Sequence, residues 1–175
     1  MRWFLVAILA YACLVLQTSA FLPGALAVPI DHHWTRPNLL LLLGLFIALN
    51  FTSRDVFLAA WCLGLAADLA GVSGRLGLQA ILYCAALSAV AAVRNELPRT
   101  RLLTQVTLSF ALVAVVHFLW YAATLWFQEA PLAILRPMEQ ALFDAAYTAI
   151  LAPYVFWGLY RLRGPLGVAM SMPRK

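Results

Sequence analysis

Long stretches of this chain carry no charged side chain. Only seven of the 175 residues are acidic, and no Asp, Glu, Lys or Arg occurs in 3–30, 37–53, 56–67, 76–93 or 102–128. Hydrophobic residues make up 65% of the sequence, and the mean hydropathy is +0.88. A soluble domain of this size could not hide that much apolar surface, because its surface-to-volume ratio requires a polar exterior. Lipid is therefore predicted to be the solvent for most of the chain.

The uncharged runs have the pattern of membrane helices. Only helices and closed barrels satisfy their backbone groups in lipid, and these runs are continuous and rich in Leu and Ala, without the two-residue alternation of barrel strands. The sequence predicts an all-α membrane protein, a compact bundle of six transmembrane helices in a single integral membrane domain, 1–175. The predicted helices cover about 3–22, 38–53, 55–71, 76–93, 102–128 and 139–161.

The second and third predicted helices are short for membrane spans. A span needs roughly 17–25 apolar residues, and these two lie at or below the lower limit. They could be tilted or matched to a thin bilayer. We favour a helical hairpin, in which Asn50 to Asp55 form a tight turn.

The first helix also resembles a signal peptide. Arg2, an apolar run and the small residues Thr18 to Ala20 fit such a segment. The apolar run continues through Phe21 and Leu22, which favours a helix that is retained.

Basic residues set the predicted orientation. With six spans and a cytoplasmic amino terminus, nine Lys and Arg residues fall in cytoplasmic segments and three fall in outer segments, which are Arg36, Arg75 and Arg136. Cytoplasmic loops carry the excess of positive charge, so both termini are predicted to be cytoplasmic. The net charge of +5 therefore reflects membrane orientation, and no cluster of basic and aromatic residues indicates nucleic-acid binding.

Three polar residues at membrane depth are candidates for function, which is the default hypothesis for such positions. Asp68 lies beside the turn 71–74 and could pair with Arg75; we favour a role in capping this turn over contact with a ligand. Asp144, four residues before Thr148, fits either a helix-dipole role or a buried polar contact. His117 is expected to bond a neighbouring helix and not to carry protons.

No arrangement of residues indicates catalysis, a metal or a cofactor. The sequence has no nucleophile elbow, phosphate-binding loop or zinc-protease motif. Cys13, Cys62 and Cys84 lie singly in apolar runs, without metal-ligand spacing, and are predicted to be packing residues. A transporter would be expected to have several charged groups at midplane and two similar halves, and neither is found. The protein is predicted not to be an enzyme.

Ridges of small residues occur on three predicted helices. Ala60 and Gly64 form one, and Ala85 and Ala89 form another. The longest is Ala141, Ala145, Ala149 and Pro153, where the proline is expected to kink the helix by freeing the carbonyl of Ala149. Such ridges let helices approach closely in lipid. For any one ridge, packing within the chain is favoured over a partner surface. Terminal helices are often peripheral, so the first and last predicted helices are the candidates for an exposed face. On the last helix we choose the ridge, with the neighbouring Asp144 and Thr148, as a candidate contact with a partner.

Four segments in order along the chain resemble the MreD family, the integral membrane subunit of the bacterial rod-shape machinery. They are Leu16-Gln17-Thr18-Ser19, then Arg36-Pro37-Asn38 before a run of leucines, then Leu63-Gly64 to Asp68 followed by Leu76-Gly77 to Tyr83, and Tyr147-Thr148 to Pro153 before a basic tail. Asn38 stands where the family usually has an acid, so no ionic role is expected there.

The resemblance implies a function that composition does not indicate. MreD-like proteins are thought to bind MreC, a bitopic protein, and to connect MreB filaments with RodA and a class B penicillin-binding transpeptidase. The implied role is a scaffold for lateral peptidoglycan synthesis in the cytoplasmic (inner) membrane. The implied fold resembles the S-components of energy-coupling-factor transporters, and this supplies the alternative of a small-molecule-binding transporter subunit.

The charge bias generates a topology prediction. Reporter fusions at Lys175 and in the segment 94–101 should give cytoplasmic signals, and a fusion near His33 should give a periplasmic signal. A periplasmic signal at Lys175 would require an odd number of spans and would contradict the six-helix topology.

Overall fold

Six helices and one pair of short antiparallel strands make up the part of the chain that the structure describes. The structure, a computed structural model, describes residues 2–18, 28–30, 33–71, 76–94, 96, 102–127 and 135–162. The helices are α1 (Arg2–Thr18), α2 (Leu39–Asn50), α3 (Ser53–Ala70), α4 (Leu78–Val93), α5 (Leu102–Phe127) and α6 (Leu135–Arg161). The six predicted helices are therefore present, and the fold class is confirmed at that level.

The helix boundaries differ from the predictions at a few ends. The helix α6 begins at Leu135, four residues before the predicted start, because Pro137 falls in its first turn, where a proline is tolerated. Between α2 and α3 only Phe51 and Thr52 lie outside the helices, so the two form a hairpin with a tight turn. The hydroxyl of Thr52 donates to the Asp55 carboxylate across this turn.

A two-stranded hairpin precedes α2, where the sequence predicted only a loop. The strands β1 (Val28–Ile30) and β2 (His33–Thr35) pair in antiparallel register, with Val28 opposite Thr35. The strand β2 contacts α6, and Thr35 is buried. Such short strands, interrupted by Pro29, have too little alternation to be predicted from sequence.

The helix α2 lies at the centre of the bundle. It contacts each of the other five helices, and every residue from Leu39 to Leu49 is buried. A helix that is apolar on all sides is stable only when other helices surround it. Its 12 residues extend about 18 Å, well short of the roughly 30 Å hydrocarbon core of a bilayer. The short apolar run in the sequence therefore corresponds to a short helix that is surrounded by the other helices.

Among the described residues, two helices are long and apolar enough to cross a membrane. They are Leu102–Trp126 of α5 and Met138–Arg161 of α6. Only 28% and 33% of these apolar stretches are buried, whereas the core helix of a soluble protein is mostly buried. Large apolar side chains such as Trp126 and Ile150 lie on the outer surface. The exterior is therefore apolar, as the composition predicts.

The helices α3 and α4 pack very closely at Gly64. A Cβ atom on Gly64 would lie 2.4 Å from the Cα atom of Ala80 and 2.9 Å from the carbonyl oxygen of Gln79. Those distances are too short for any side chain, so α3 and α4 meet backbone to backbone. Ala60, one turn earlier, is also fully buried. The predicted ridge on α4 differs, because Ala85 and Ala89 are both exposed.

The longest ridge of small residues faces the inside of the bundle. Ala145 is 0% exposed and Ala149 is 3% exposed, so the surface that they form is covered by the chain itself. Ala141 is half-buried, and α6 continues as a helix through Pro153 to Arg161. The interpretation of Ala145 and Ala149 as partner contacts is therefore wrong, because close packing within the chain already uses them.

Two glycines in helices provide a matched test of the α3–α4 contact. Gly64→Ala should destabilise the protein by about 1–3 kcal/mol, because the added methyl group must push two backbones apart. Gly158→Ala on α6 adds the same atom where nothing lies within 4 Å. It should be neutral or stabilising by up to about 1 kcal/mol. Unfolding in detergent measures both changes, and equal stability of the two variants would contradict the close packing.

Candidate functional site

The carboxylate of Asp68 binds the amino terminus of α4. Its Oδ2 accepts hydrogen bonds from the backbone N–H of Gly77 at 2.9 Å and of Ala80 at 3.2 Å, and its Oδ1 accepts one from Gln79 at 3.1 Å. Asp68 is only 1% exposed. The first N–H groups of a helix have no partner within it and carry partial positive charge, so a buried carboxylate there is doubly favourable.

Two glycines make this contact possible. Gly77, which precedes α4, has φ of 99°, a left-handed conformation that favours glycine. Gly64 lies one turn before Asp68 on the same face of α3, so the close approach of the backbones brings the carboxylate to the end of α4. The predicted partner Arg75 and the turn 72–75 lie outside the described residues.

A second network caps α2 through Asn38. Its Oδ1 accepts hydrogen bonds from the backbone N–H of Leu41 at 3.1 Å and from the hydroxyl of Tyr83 at 3.0 Å. The first bond is a helix N-cap, and asparagine is among the preferred residues at that position. The second joins α2 to α4 through a tyrosine that is 1% exposed.

The helix α6 holds the segment that leads into α2. The Thr148 hydroxyl accepts from the backbone N–H of Asn38 at 3.1 Å and donates to the carbonyl of Asp144 at 2.6 Å. The Asp144 carboxylate accepts from the backbone N–H of Arg36 at 3.0 Å. Between these two contacts Pro37 is buried. Because Thr148 is 0% exposed, its side chain is not accessible to a partner.

A cavity of about 200 Å³ lies beside these networks. Its lining is drawn from the start of α2, the start of α4 and the middle of α5. The lining residues are Asn38, Gln79, Tyr83, Val116, His117 and Trp120. All six belong to the end of the bundle where α2 and α4 begin, which is called the Asn38 end below.

The imidazole of His117 is oriented by its own helix. Its Nδ1 lies 2.9 Å from the carbonyl oxygen of Val113, one turn earlier in α5. The expected hydrogen bond to a neighbouring helix is therefore replaced by one within α5. Because a carbonyl only accepts, Nδ1 carries a hydrogen and donates it, which leaves Nε2 as the ring nitrogen available to another group.

The opposite end of α2 is capped by a basic side chain. The Arg94 guanidinium donates to the carbonyl of Phe51, and the Asn50 side chain donates to the carbonyl of Phe46. Cations stabilise the carboxyl end of a helix because its last carbonyls have no partner within the helix. This end of the bundle is called the Arg94 end below.

Most of the described polar side chains at the Asn38 end of the bundle form hydrogen bonds with backbone groups. Among residues 2–18, 28–30, 33–71, 76–94, 96, 102–127 and 135–162, no three His, Cys, Asp or Glu residues could hold a metal ion. Sequence reasoning identified Asp68, Asp144 and Thr148 but missed the joint role of Asn38 and Tyr83. An asparagine directly before a run of leucines is an N-cap signal, so the cap at Asn38 could have been predicted. No local pattern predicts that Tyr83 bonds to it.

A family model described as rod shape-determining protein MreD matches residues 1–163 of the chain. The match covers nearly the whole chain and confirms the resemblance seen in the four segments. No curated protein and no solved structure matches the chain.

Two aspartates on α3 allow a controlled test of the α4 cap. Asp68→Ala should lower the free energy of unfolding by about 1–3 kcal/mol, because it leaves buried amides without an acceptor. Asp55→Ala removes only an exposed contact with Thr52 and should cost less than about 1 kcal/mol. Detergent unfolding measures the loss, and hydrogen exchange should become faster at Gly77, Gln79 and Ala80. Normal stability combined with lost rod shape would instead make Asp68 a partner contact.

Proposed function

The chain belongs to the MreD family of rod shape-determining proteins, and from this premise we propose that it is a non-catalytic scaffold subunit of the bacterial elongasome. In this role it binds an MreC-like bitopic protein and acts beside RodA and a class B penicillin-binding transpeptidase. The complex supports lateral peptidoglycan synthesis and rod shape. The observation that carries the proposal is the family match over residues 1–163.

The proposed location is the bacterial cytoplasmic (inner) membrane, in which the chain crosses several times with both termini in the cytoplasm. Proteins of this family are membrane proteins, and α5 and α6 are long and apolar enough to cross a bilayer. The excess of basic residues in the predicted inner segments supports the orientation. On this orientation the Asn38 end faces outward, and the Arg94 end faces the cytoplasm.

A scaffold role agrees with how the buried polar groups are used. Asp68 caps α4, Asn38 caps α2, and Thr148 holds the segment before α2. Each of these groups satisfies backbone that would otherwise be unpaired, which costs several kcal/mol per group in lipid. These side chains therefore serve the backbone of the described helices, which is a structural use of buried polar groups.

We place the partner contact on the exposed face of α6, opposite the buried alanines. A ridge with four-residue spacing runs along that face through Ala146, Ile150, Tyr154 and Gly158. Ile150 is 65% exposed and Tyr154 is 72% exposed, and nothing lies within 4 Å of the position that a Cβ on Gly158 would take. Helices associate in lipid by close packing, and a small residue beside a large one offers the notch that a single partner helix can fill.

A second candidate function is a small-molecule-binding subunit like the S-component of a transporter. The cavity at the Asn38 end favours it, because ligand sites are concave with a few convergent polar groups. Uptake measurements separate the two candidates. Accumulation of a vitamin by the purified and reconstituted protein, or turnover of a lipid-linked sugar by it, would make the scaffold proposal wrong.

The partner contact can be tested by filling the notch. Gly158→Leu should reduce co-purification with the MreC-like protein by at least about fivefold, or about 1 kcal/mol, because a leucine side chain would occupy the space of the partner helix. The variant should retain its unfolding temperature, since the space around Gly158 is open. Pull-down from detergent with quantitative detection of both proteins gives the measurement.

Ala12→Leu supplies the matched control, because it makes the same kind of change at an exposed small residue on α1. It should leave co-purification unchanged. An equal loss in both variants would show a general defect of insertion, and a loss with Ala12→Leu alone would move the contact to α1. Undiminished co-purification with Gly158→Leu would contradict the choice of α6.

A further inference from the structure

The cavity at the Asn38 end has the size of a site for one small chemical group. Its volume is about 200 Å³, below the roughly 300–1,000 Å³ of ordinary small-molecule pockets. Tyr83 and Val116 are 1% and 4% exposed and form its floor, whereas Gln79 and Trp120 are half-buried and reach its rim. Such a space admits a single ring or headgroup but not an extended ligand.

The helix caps determine which atoms of Asn38 remain for a ligand. Both lone pairs of its Oδ1 are used, one by the N–H of Leu41 and the other by the hydroxyl of Tyr83. The amide is thereby fixed, and its NH₂ group is the donor that remains. The Tyr83 hydroxyl, having donated its hydrogen, retains acceptor capacity at the floor of the cavity.

The other polar groups of the lining are fixed in a similar way. The Nδ1 atom of His117 bonds to the carbonyl of Val113, which leaves Nε2 available for a second hydrogen bond. The backbone N–H of Gln79 bonds to Asp68, so its side chain starts from a fixed position and carries both a donor and an acceptor. The cavity therefore combines preoriented donors and acceptors in one small space.

The described part of the lining contains no Asp, Glu, Lys or Arg. Two nearby carboxylates act on it electrostatically, Asp68 on Tyr83 and Asp144 on His117, and both already accept backbone N–H groups. A phosphate group there would lie near these carboxylates with no described Lys or Arg in the lining, which is costly. Hydroxyl groups both donate and accept, so they match a lining that does the same. The indole of Trp120 adds an apolar face against which the C–H face of a ring can pack.

We propose that this cavity binds a neutral, hydroxyl-rich group about the size of one sugar ring, which is the chemistry of a saccharide. The group could belong to the headgroup of a glycolipid or to a free sugar, since both present the same ring. This function goes beyond the scaffold role and does not depend on it. Because the capped amino-terminal ends of α2 and α4, at Asn38 and at Gln79, border the cavity, ligand binding would stabilise the Asn38 end as a whole.

The test uses the purified full-length chain. It is titrated in detergent with glucose and with N-acetylglucosamine, and it is reconstituted in nanodiscs with and without monoglucosyl diacylglycerol. Inorganic phosphate and phosphatidylglycerol nanodiscs supply the anionic comparison. Saccharide or glycolipid should raise the unfolding temperature in a saturable way, because a ligand of the native state stabilises it in proportion to its occupancy.

Variants connect the binding to the cavity. Trp120→Leu and Gln79→Leu should weaken saccharide affinity by at least about tenfold, the effect of losing one good contact. Trp126→Leu is the control, because it makes the same change on the same helix at a side chain that is 87% exposed. It should leave affinity within about twofold of the original. Circular dichroism verifies that each variant is folded, and having two lining variants keeps the test valid if one is not.

Each outcome decides the proposal. A response to free sugars assigns the site to soluble saccharides, and a response to the glycolipid alone assigns it to a headgroup. No saturable response to either, a response only to phosphate or phosphatidylglycerol, or a loss as large in Trp126→Leu would overturn it. Stabilisation only by the co-expressed MreC-like protein would overturn it as well. Co-purification with that protein tests the scaffold separately, so failure of one proposal leaves the other standing.

Discussion

A short helix buried on every side imposes the main constraint on this structure. The helix α2 contacts all five other helices, and its residues from Leu39 to Leu49 are buried, so the backbone groups of its first and last turns belong to buried residues. Unpaired backbone groups are costly where water is excluded. At one end of α2, Asn38 accepts a hydrogen bond from a backbone N–H, and at the other end Arg94 donates one to a backbone carbonyl. The packing of the bundle is therefore coupled to a small number of polar side chains.

The same requirement explains the polar residues around α4. Asp68 supplies the acceptor for the first amides of α4, and it can reach them only because Gly64 allows the two backbones to touch. The two caps meet at the Asn38 end, where Tyr83 from α4 bonds to the cap of α2. Groups that first serve helix capping thus also border a cavity. One set of side chains can couple the stability of the bundle to whatever binds there.

Sequence reasoning was most reliable where one local signal decides. The six helices, the tight turn before α3 and the family could all be predicted, because uncharged runs and motif segments are continuous in sequence. It was weakest where the answer depends on which face of a helix meets which neighbour. Ala145 and Ala149 were assigned to a partner surface, yet they are buried. A ridge of small residues indicates close packing but does not identify the helix that packs against it.

The sequence by itself determined that this chain needs an apolar solvent, that it forms helices, and that it belongs to the MreD family. Composition and periodicity act locally, so they are visible without coordinates. Only the tertiary structure decided that α2 is central, that Asn38, Tyr83 and Thr148 meet, and that His117 and Trp120 border a cavity with them. These residues are up to 110 positions apart. Their meeting depends on the way in which six helices fill space together, which no local pattern records.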